Sequence, residues 1–385
     1  MSIKIETKRN NPLIKAYFDG NIRKFRSLIK SGENINCLYN RKNSLIGLIL
    51  KSQGRPKTNL MFFDEMMANN VHLGNIGDTP GVLFLAIFYQ TNDYYFKKLL
   101  DNGANVNEFG ICSEHAYGPP IHDLIFNEKG HLLKSLLKKS PDLDICDKGN
   151  EPLLNSFIEH NMYLDAYPNR QRKGQEKYIN EIFPLFIKKG IDPTLRGNDG
   201  KQAIHLLAEN CYDKNIFKNL FKSNYKIDIN SRDCFGNTPL IIAAYEDNQA
   251  ALEFLIEKGA DLNIVNSKGH NALMNTIYNL NENMLIILIK NNVNLKLTDK
   301  NGNNIIHYIF KHSYIMDYYV TDDDTMEDYL KMILKKEPSL FYQKNKKNQN
   351  MIDLLKKYHT DKSLLKEEIN KYTKIYQKYT KELER

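Results

Sequence analysis

A repeated segment in the middle of the chain constrains the fold more than any other feature of the sequence. Residues 233–265 read DCFGNTPLIIAAYEDNQAALEFLIEKGADLNIV, and similar segments begin at Asn266 and at Asp299, so that both steps are 33 residues. Self-similarity at a fixed period of roughly 20–50 residues is typical of repeat architectures, in which each unit packs only on its neighbours. The chain is therefore predicted to be a solenoid, and its 385 residues need no division into separate globular cores.

The start of each unit has the residues of a hairpin turn that leads into a helix. Gly236, Gly269 and Gly302 stand at the same position of successive units, and a positive φ at a turn is favourable only for glycine. Thr238 is placed to cap the first helix, and Pro239 fits the first turn of that helix because its missing N–H would have no partner there. The sequence therefore predicts a hairpin followed by a capped helix.

The remainder of the unit predicts two helices that pack closely. Ala243 and Ala244 are small enough for neighbouring helices to approach each other. Leu252, Leu255 and Ile256 recur at helical spacing and are predicted to form the buried stripe of the second helix. Gly259 is predicted to end that helix.

This unit resembles the ankyrin repeat, whose pattern D-x-x-G-x-T-P-L-x-x-A-A followed by L-L-x-x-G-A-D-V-N matches residues 233–265. The resemblance implies an all-α fold: an ankyrin-repeat solenoid of about ten helix-turn-helix units with short hairpin loops and a C-terminal helix. Weaker copies of the pattern extend it over nearly the whole chain. We expect an N-terminal capping repeat at 1–40, divergent repeats at 41–196 with an insertion near 160–178, well-formed repeats at 197–344 with an insertion near 311–328, a last degenerate repeat at 345–360, and an amphipathic C-terminal helix at 361–385.

The C-terminal helix has two possible roles. As a cap, it would bury a stripe against the unit that contains Ile352 and Leu355, because a terminal repeat must present a polar outer face. The stripe consists of Leu365, Ile369, Tyr372 and Tyr376. Alternatively, the same amphipathic face binds a partner or mediates oligomerisation. We expect the cap.

Composition argues against nucleic acid and membranes as partners. The chain carries 54 Lys and Arg against 46 Asp and Glu, a formal net charge of +8 that is spread along the sequence rather than gathered in a basic stripe. No apolar run approaches the roughly 18 residues of a membrane helix, and the N-terminus lacks a signal-peptide pattern. Five single cysteines suit a reducing compartment. We expect a cytoplasmic protein, in the producing cell or, if secreted, in a host cell.

The sequence contains no catalytic motif: a phosphate-binding loop, an HExxH pair, a CxxC pair, a kinase signature and a GxSxG elbow are all missing. We therefore expect no enzyme, no cofactor and no metal. Cys112, His115 and His122 lack the fourth ligand of a zinc site. The resemblance instead gives His122, like His205 and His307, a structural role, because this histidine commonly forms hydrogen bonds between neighbouring hairpins.

Two charge runs fall in the insertions and are interpreted as solvated loops. The acidic run lacks the glycine and the spacing of a calcium loop, and the basic run is too short for a nucleic-acid stripe. The acidic residues are Asp322, Asp323, Asp324, Glu327 and Asp328, and the basic residues are Arg170, Arg172, Lys173 and Lys177.

The resemblance also implies where a partner binds, on the concave face formed by hairpin tips and the outer side of the first helices. Large rings at such positions are typical interface anchors. The predicted partner-binding residues are Phe235, Asn237, Tyr245, Glu246, Lys268, His270, Tyr278, Asn279, Lys300, Asn301 and His312. The weaker unit at 197 offers Asn198, Asp199, Lys201, Glu209 and Asn210 at the same positions.

Three hypotheses follow for the function. The first is a non-enzymatic, monomeric scaffold that binds another protein; since the sequence resembles ankyrin effectors of intracellular bacteria, this scaffold could be secreted into a host cell. The heavy use of Lys, Asn, Ile and Tyr, as in AT-rich genomes, fits such a producer. The second is an intracellular inhibitor or an immunity protein against a toxin. The third is an enzyme with a site hidden in the divergent N-terminal half.

Overall fold

The protein is mostly helical in the computed structural model, and it divides into two compact units, Met1–Asn198 and Asp199–Arg385. None of the described helices combines the length and the hydropathy that a membrane span requires. The structure describes residues 11–39, 43–52, 56–74, 81–89, 91–108, 111–112, 115–116, 119–126, 129–146, 149–162, 172–277, 281–315, 323–358 and 362–383.

The first unit is a series of helix pairs, in which the two helices of a pair pack together and successive pairs also contact each other. Its helices are α1 (Pro12–Phe18), α2 (Ile22–Lys30), α3 (Leu45–Lys51), α4 (Pro56–Ala68), α5 (Val82–Phe88), α6 (Asp93–Asp101), α7 (Pro120–Phe126), α8 (Gly130–Leu137), α9 (Leu153–Met162) and α10 (Arg172–Lys189). Two of its hairpins contain short antiparallel strand pairs, β1 (Leu38–Tyr39) with β2 (Asn43–Ser44) and β3 (Ile111–Cys112) with β4 (His115–Ala116).

The second unit contains the regular repeats. Its helices are α11 (Ala203–Asn210), α12 (Lys214–Leu220), α13 (Pro239–Tyr245), α14 (Gln249–Glu257), α15 (Ala272–Thr276), α16 (Glu282–Lys290), α17 (Ile305–Ile315), α18 (Asp323–Lys336), a 3₁₀ helix (Pro338–Phe341), α19 (Met351–Tyr358) and α20 (Lys362–Leu383). Helices α11, α13 and α15 pack side by side, and so do α12, α14 and α16, which gives two helical layers. The number of repeats and the boundaries drawn above stay predictions.

The local signals of the central repeat are confirmed. The Thr238 hydroxyl accepts a hydrogen bond from the Ile241 N–H at 3.3 Å, and Pro239 is the first residue of α13. Gly236 has a φ of 77° in the hairpin turn. Leu255 is fully buried. The hydrogen bond of Thr238, the place of Pro239 and the φ of Gly236 each depend on only a few neighbouring residues, whereas the burial of Leu255 depends on the packing of helices.

The packing of the remaining predicted helix residues follows the expectation with one difference. Ala243, Ala244 and Leu252 are fully buried, whereas Ile256 is only half-buried. Gly259, with a φ of 85°, follows the C-cap residue of α14 and so ends that helix as predicted.

Successive hairpins of the second unit are joined by backbone hydrogen bonds. The N–H of Cys234 donates to the Asp199 carbonyl at 2.9 Å, and the N–H of Ser267 donates to the Phe235 carbonyl at 2.9 Å. The bond from the Lys300 N–H to the Lys268 carbonyl, at 3.3 Å, continues the row. These bonds align the hairpin tips along one edge of the unit.

The predicted structural histidines reinforce this alignment. The Nε2 atom of His205 lies 3.0 Å from the Ser231 carbonyl oxygen, and that of His307 lies 2.9 Å from the Gln349 carbonyl oxygen. Both imidazoles therefore bridge to a following hairpin, as the resemblance implied. His122 is buried at the corresponding position of the first unit, whereas the side chains of Cys112 and His115 lie outside the described residues.

The interpretation of both charge runs as loops is wrong where the structure describes them. Helix α18 begins at Asp323. Within this helix, Glu327 Oε1 forms an ion pair with Lys331 Nζ, one turn later, at 2.7 Å. Acidic residues at a helix N-terminus are favourable because they complement the helix dipole, which is a local signal for α18. Likewise α10 begins at Arg172 and contains Lys173 and Lys177. Asp322 and Arg170 lie outside the described residues.

The C-terminal helix α20 packs on the end of the second unit, against α18, α19 and the 3₁₀ helix. Tyr372 is fully buried, with its ring centroid 5.2 Å from that of Phe310. Tyr376 stacks on Phe341 at 4.8 Å. This placement agrees with a cap. Within the predicted stripe, Leu365 and Ile369 are only half-buried.

Candidate functional site

A groove of about 450 Å³ lies in the second unit, between the hairpin tips and the first helices of three successive repeats. Its volume falls within the roughly 300–1,000 Å³ of ligand pockets. The hairpins contribute Asp199, Lys201, Asp233, Phe235, Asn237, Asn266, Ser267, Lys268 and His270. The ends of the helices contribute Glu209, Ile241, Ile242, Tyr245, Glu246 and Asn275.

Each hairpin is held by the side chain of its first residue. The Oδ1 atom of Asp233 accepts hydrogen bonds from the N–H groups of Phe235 at 2.9 Å and Asn237 at 2.7 Å. Asn266 does the same for Lys268 at 2.9 Å and His270 at 3.0 Å. An Asx side chain that bonds its own turn in this way stabilises the turn locally. The hairpin residues of the groove are therefore held in place before any ligand arrives.

Two aromatic rings of the groove are exposed to solvent. Phe235 at a hairpin tip is 58% exposed, and Tyr245, the last residue of α13, is 57% exposed. Ile241 and Ile242 form an apolar floor near them. Large exposed rings beside an apolar floor form a surface on which a partner can bury apolar area.

The end of the groove nearest α11 is charged. The Lys201 Nζ atom lies 2.6 Å from Glu209 Oε2. Burial lowers the pKa of Lys201, but the hydrogen bond to Glu209 and the charges of nearby carboxylates outweigh it and raise this pKa above its ordinary value. Burial raises the pKa of Glu246 and the charge of Glu209 adds to this shift, which the charge of Lys201 offsets only in part. Glu246 therefore lies in a partly desolvated, negatively charged environment.

At the opposite end, a chain of hydrogen bonds orients His270. The Tyr308 hydroxyl donates to Asp299 Oδ2 at 2.8 Å, and the Tyr308 oxygen lies 2.7 Å from His270 Nε2. Since the single hydroxyl proton goes to Asp299, His270 must donate from Nε2. Burial lowers the pKa of His270, so this imidazole is a neutral, oriented group at pH 7.

The structure brings six of the predicted partner-binding residues together in this groove. They are Phe235, Asn237, Tyr245, Glu246, Lys268 and His270. Lys300 and Asn301 are exposed on the next hairpin, outside the set that lines the groove. Tyr278 and Asn279 lie outside the described residues, and of His312, on α17, only the backbone is described.

Sequence reasoning had placed Asp199, Lys201 and Glu209 on the same surface, and they do line the groove. It missed Asp233, Asn266, Asn275, Ile241 and Ile242. In the sequence, the two isoleucines occupy positions typical of the buried side of a first helix. The structure shows that they also form the floor of the groove. The same position that carries Tyr245 at the end of α13 carries the exposed Phe18 in α1 and Phe88 in α5 of the first unit.

Comparison with known proteins gives a consistent family signal. A family model for ankyrin repeats, described as ankyrin repeats in three copies, matches residues 175–266. A putative ankyrin repeat protein of Rickettsia felis is 27% identical over 29% of this chain and 37% of that protein. A putative ankyrin repeat protein of Rickettsia bellii is 42% identical over 28% of this chain and 66% of that protein.

The chain is also similar to a viral protein and to a protein of known structure. The ankyrin repeat protein VACWR203 of vaccinia virus is 26% identical over 46% of this chain and 72% of that protein. Against the crystal structure of the ankyrin repeat domain of Bcl-3, a member of the IkappaB protein family, the TM-score is 0.47 with 17% identity, over 61% of this chain and 92% of that chain. The match to the Rickettsia felis protein thus spans little more than a third of that relative.

Proposed function

Since this chain belongs to the ankyrin-repeat family, whose repeats generally mediate protein–protein interaction, we propose that it is a non-enzymatic scaffold that binds another protein in the groove of its second unit. The ankyrin fold is typically an interaction scaffold rather than an enzyme. Its rigid row of hairpins presents side chains in fixed positions, which lowers the entropic cost of binding.

The observation that carries this proposal is the pair of exposed rings, Phe235 and Tyr245, on one groove. Aromatic side chains lose little conformational entropy when they are buried by a partner, and they are enriched among residues that dominate binding energy. Charged and polar groups surround the rings, which is the usual arrangement of an apolar centre with a polar rim.

The test is comparative capture from a eukaryotic host-cell lysate with the full chain as bait. The baits are the wild type, a Phe235→Ala/Tyr245→Ala variant, and a Tyr212→Ala control. Tyr212 is 61% exposed but does not line the groove. A protein captured by the wild type and the control but lost with the double variant, as identified by mass spectrometry, supports the proposal.

Binding of that protein should then be measured with purified components. We expect the double variant to weaken it by more than about 2 kcal/mol, because hot-spot residues each cost that much when truncated. Equal affinity of the double variant and the wild type would remove the groove as the binding site.

We further propose that the protein acts as an effector inside a host cell. Two features support this: similar proteins occur in two Rickettsia species and in vaccinia virus, and the composition suits an AT-rich genome. A reporter fused to the chain and expressed in its natural producer should give signal in the host cytosol during infection. Signal confined to the producer would contradict the effector role and leave the scaffold proposal untouched.

A further inference from the structure

We propose that the groove of the second unit takes an arginine side chain from a basic segment of the partner protein. This inference rests on the proposed function, since it names the chemistry of the partner at the same site. Three observations carry it: the charge balance of the groove, two carboxylates that form no ion pair with any described residue, and the position of the two rings.

The groove is negatively charged although the whole chain carries a formal net charge of +8. Four carboxylates and two lysines line it: Asp199, Glu209, Asp233, Glu246, Lys201 and Lys268. With a neutral imidazole at His270, these groups sum to a local charge of −2. A cationic ligand would therefore be attracted to this surface and oriented by it, whereas an acidic segment would be repelled.

Among the described residues, only one of the four carboxylates forms an ion pair. Lys201 pairs with Glu209 at 2.6 Å. The Asp233 carboxylate is held by the hairpin, with Asn237 Nδ2 at 3.0 Å from Oδ2. Among the described residues, no lysine or arginine forms an ion pair with Asp199 or Glu246. Neither carboxylate is engaged in an ion pair, although the charge of Lys201 acts on both, so each can still pair with a cation from the partner.

The electrostatic environment of Glu246 points the same way. Burial raises the pKa of this carboxyl and the nearby charge of Glu209 raises it further, whereas the charge of Lys201 lowers it by less. A guanidinium placed beside both carboxylates would offset the repulsion between them. The bound arginine would add positive charge to a groove in which four carboxylates outnumber two lysines.

The aromatic rings favour arginine among cationic side chains. A guanidinium within about 6 Å of a ring centroid is attracted by the face of the ring. The guanidinium is also planar, so it can stack on Phe235 or Tyr245 while its N–H groups reach a carboxylate in a bidentate arrangement. The ammonium of lysine offers no such plane. Rings and carboxylates that share one groove therefore match the two chemical features of arginine.

The probe for the test is a phage-displayed library of random 12-residue peptides, selected on the full chain. Peptides that also bind the Phe235→Ala/Tyr245→Ala variant are removed. Each selected peptide is then made in two forms, one with arginine and one with citrulline, the neutral isostere of arginine. Affinities are measured by fluorescence polarisation for the wild type and for Glu246→Gln and Asp199→Asn. Glu257→Gln is the control, because Glu257 is exposed on α14 and does not line the groove.

We expect the selected peptides to share an arginine, and citrulline to weaken their binding about tenfold or more, as loss of a charge-assisted hydrogen bond does. Glu246→Gln should weaken the arginine peptide similarly, and Glu257→Gln should change its affinity less than about twofold. Glu246→Gln should have little effect on the citrulline peptide. A smaller loss on citrulline substitution at 0.5 M salt would further support a charge interaction, since salt screens it.

Selected peptides without arginine, or equal binding of the citrulline form, would overturn this inference. Failure to select any peptide that depends on Phe235 and Tyr245 would also overturn it. These outcomes leave the proposed function standing if a captured protein still depends on the two rings. A protein partner that binds wild type and the Phe235→Ala/Tyr245→Ala variant equally would instead overturn the proposed function itself.

Discussion

Tyr372 of the C-terminal helix packs edge-on against Phe310 of α17, with the two ring centroids 5.2 Å apart and the ring planes at 80°. Tyr372 is fully buried although it lies 62 residues further along the chain. The contact places α20 against α17. Lys371 adds an ion pair to Glu327 of α18 at 2.8 Å. The end of the solenoid is thus covered by the chain itself.

This contact predicts that the C-terminal helix stabilises the second unit. Tyr372→Ala should lower the free energy of unfolding by about 3–5 kcal/mol, because it leaves a cavity where a large ring was buried. Lys374→Ala, on the exposed side of the same helix, should change it by less than about 0.5 kcal/mol. Urea unfolding measures both. Deletion of residues 361–385 should also lower the melting temperature, and an unchanged melting temperature would contradict the cap.

The buried stripe of α14 gives a second test of the repeat register. Leu255→Ala should cost about 2–5 kcal/mol, since Leu255 is fully buried between stacked helices. Lys268→Ala, at an exposed hairpin tip, should stay within about 0.5 kcal/mol. Chemical denaturation of the two variants checks the difference. Equal destabilisation would show that the register of buried and exposed positions is wrong.

Two glycines with the same φ of 85° allow backbone strain to be separated from steric contact. A Cβ at Gly259 meets nothing within 4 Å, whereas a Cβ at Gly269 would lie 2.8 Å from the Lys300 backbone nitrogen. Gly259→Ala should therefore cost about 1–2 kcal/mol from the left-handed conformation alone. Gly269→Ala should cost clearly more and should also disturb Lys268 and His270 beside it. Thermal melts of the pair test this, and equal losses would mean that the hairpins move apart easily.

Asp123 in α7 predicts a pH dependence of stability in the first unit. It is 7% exposed, and burial raises the pKa of its carboxyl from 3.8 to about 7. Between these values the unfolded chain has lost the proton and the folded chain has kept it. The free energy of unfolding should therefore fall as the pH rises, by at most about 1.4 kcal/mol per pH unit and about 4 kcal/mol in total.

Asp123→Asn should remove this dependence, because the amide keeps the shape of the side chain and does not ionise. Its stability relative to the wild type should be greater at pH 8 than at pH 4, as measured by urea unfolding at both pH values. Asp101→Asn, at a side chain that is 71% exposed, is the control. Parallel pH curves for the wild type and Asp123→Asn would show that the buried carboxyl is not responsible.

The sequence alone predicted the family and the local structure of the central repeats. Gly236, Thr238 and Pro239 determine the hairpin turn and the start of the helix through their own φ angles and hydrogen bonds. A few neighbouring residues are therefore enough to predict this local structure. It also placed Phe235 and Tyr245 on the outer surface, because outward positions recur with the repeat. The sequence-based prediction failed in the insertions, because the 33-residue repeat pattern is interrupted there. The start of α18 was therefore interpreted as a loop.

Which surface residues share a site depends on how the repeats pack. Glu246 and Glu209 belong to different repeats, and their mutual repulsion exists only because α11 and α13 pack side by side. The same packing turns Ile241 and Ile242 from ordinary helix positions into the floor of a groove. Periodicity shows which face of each helix points outward. The distances between charges on successive repeats depend on how the repeats stack, and stacking is a property of the folded chain.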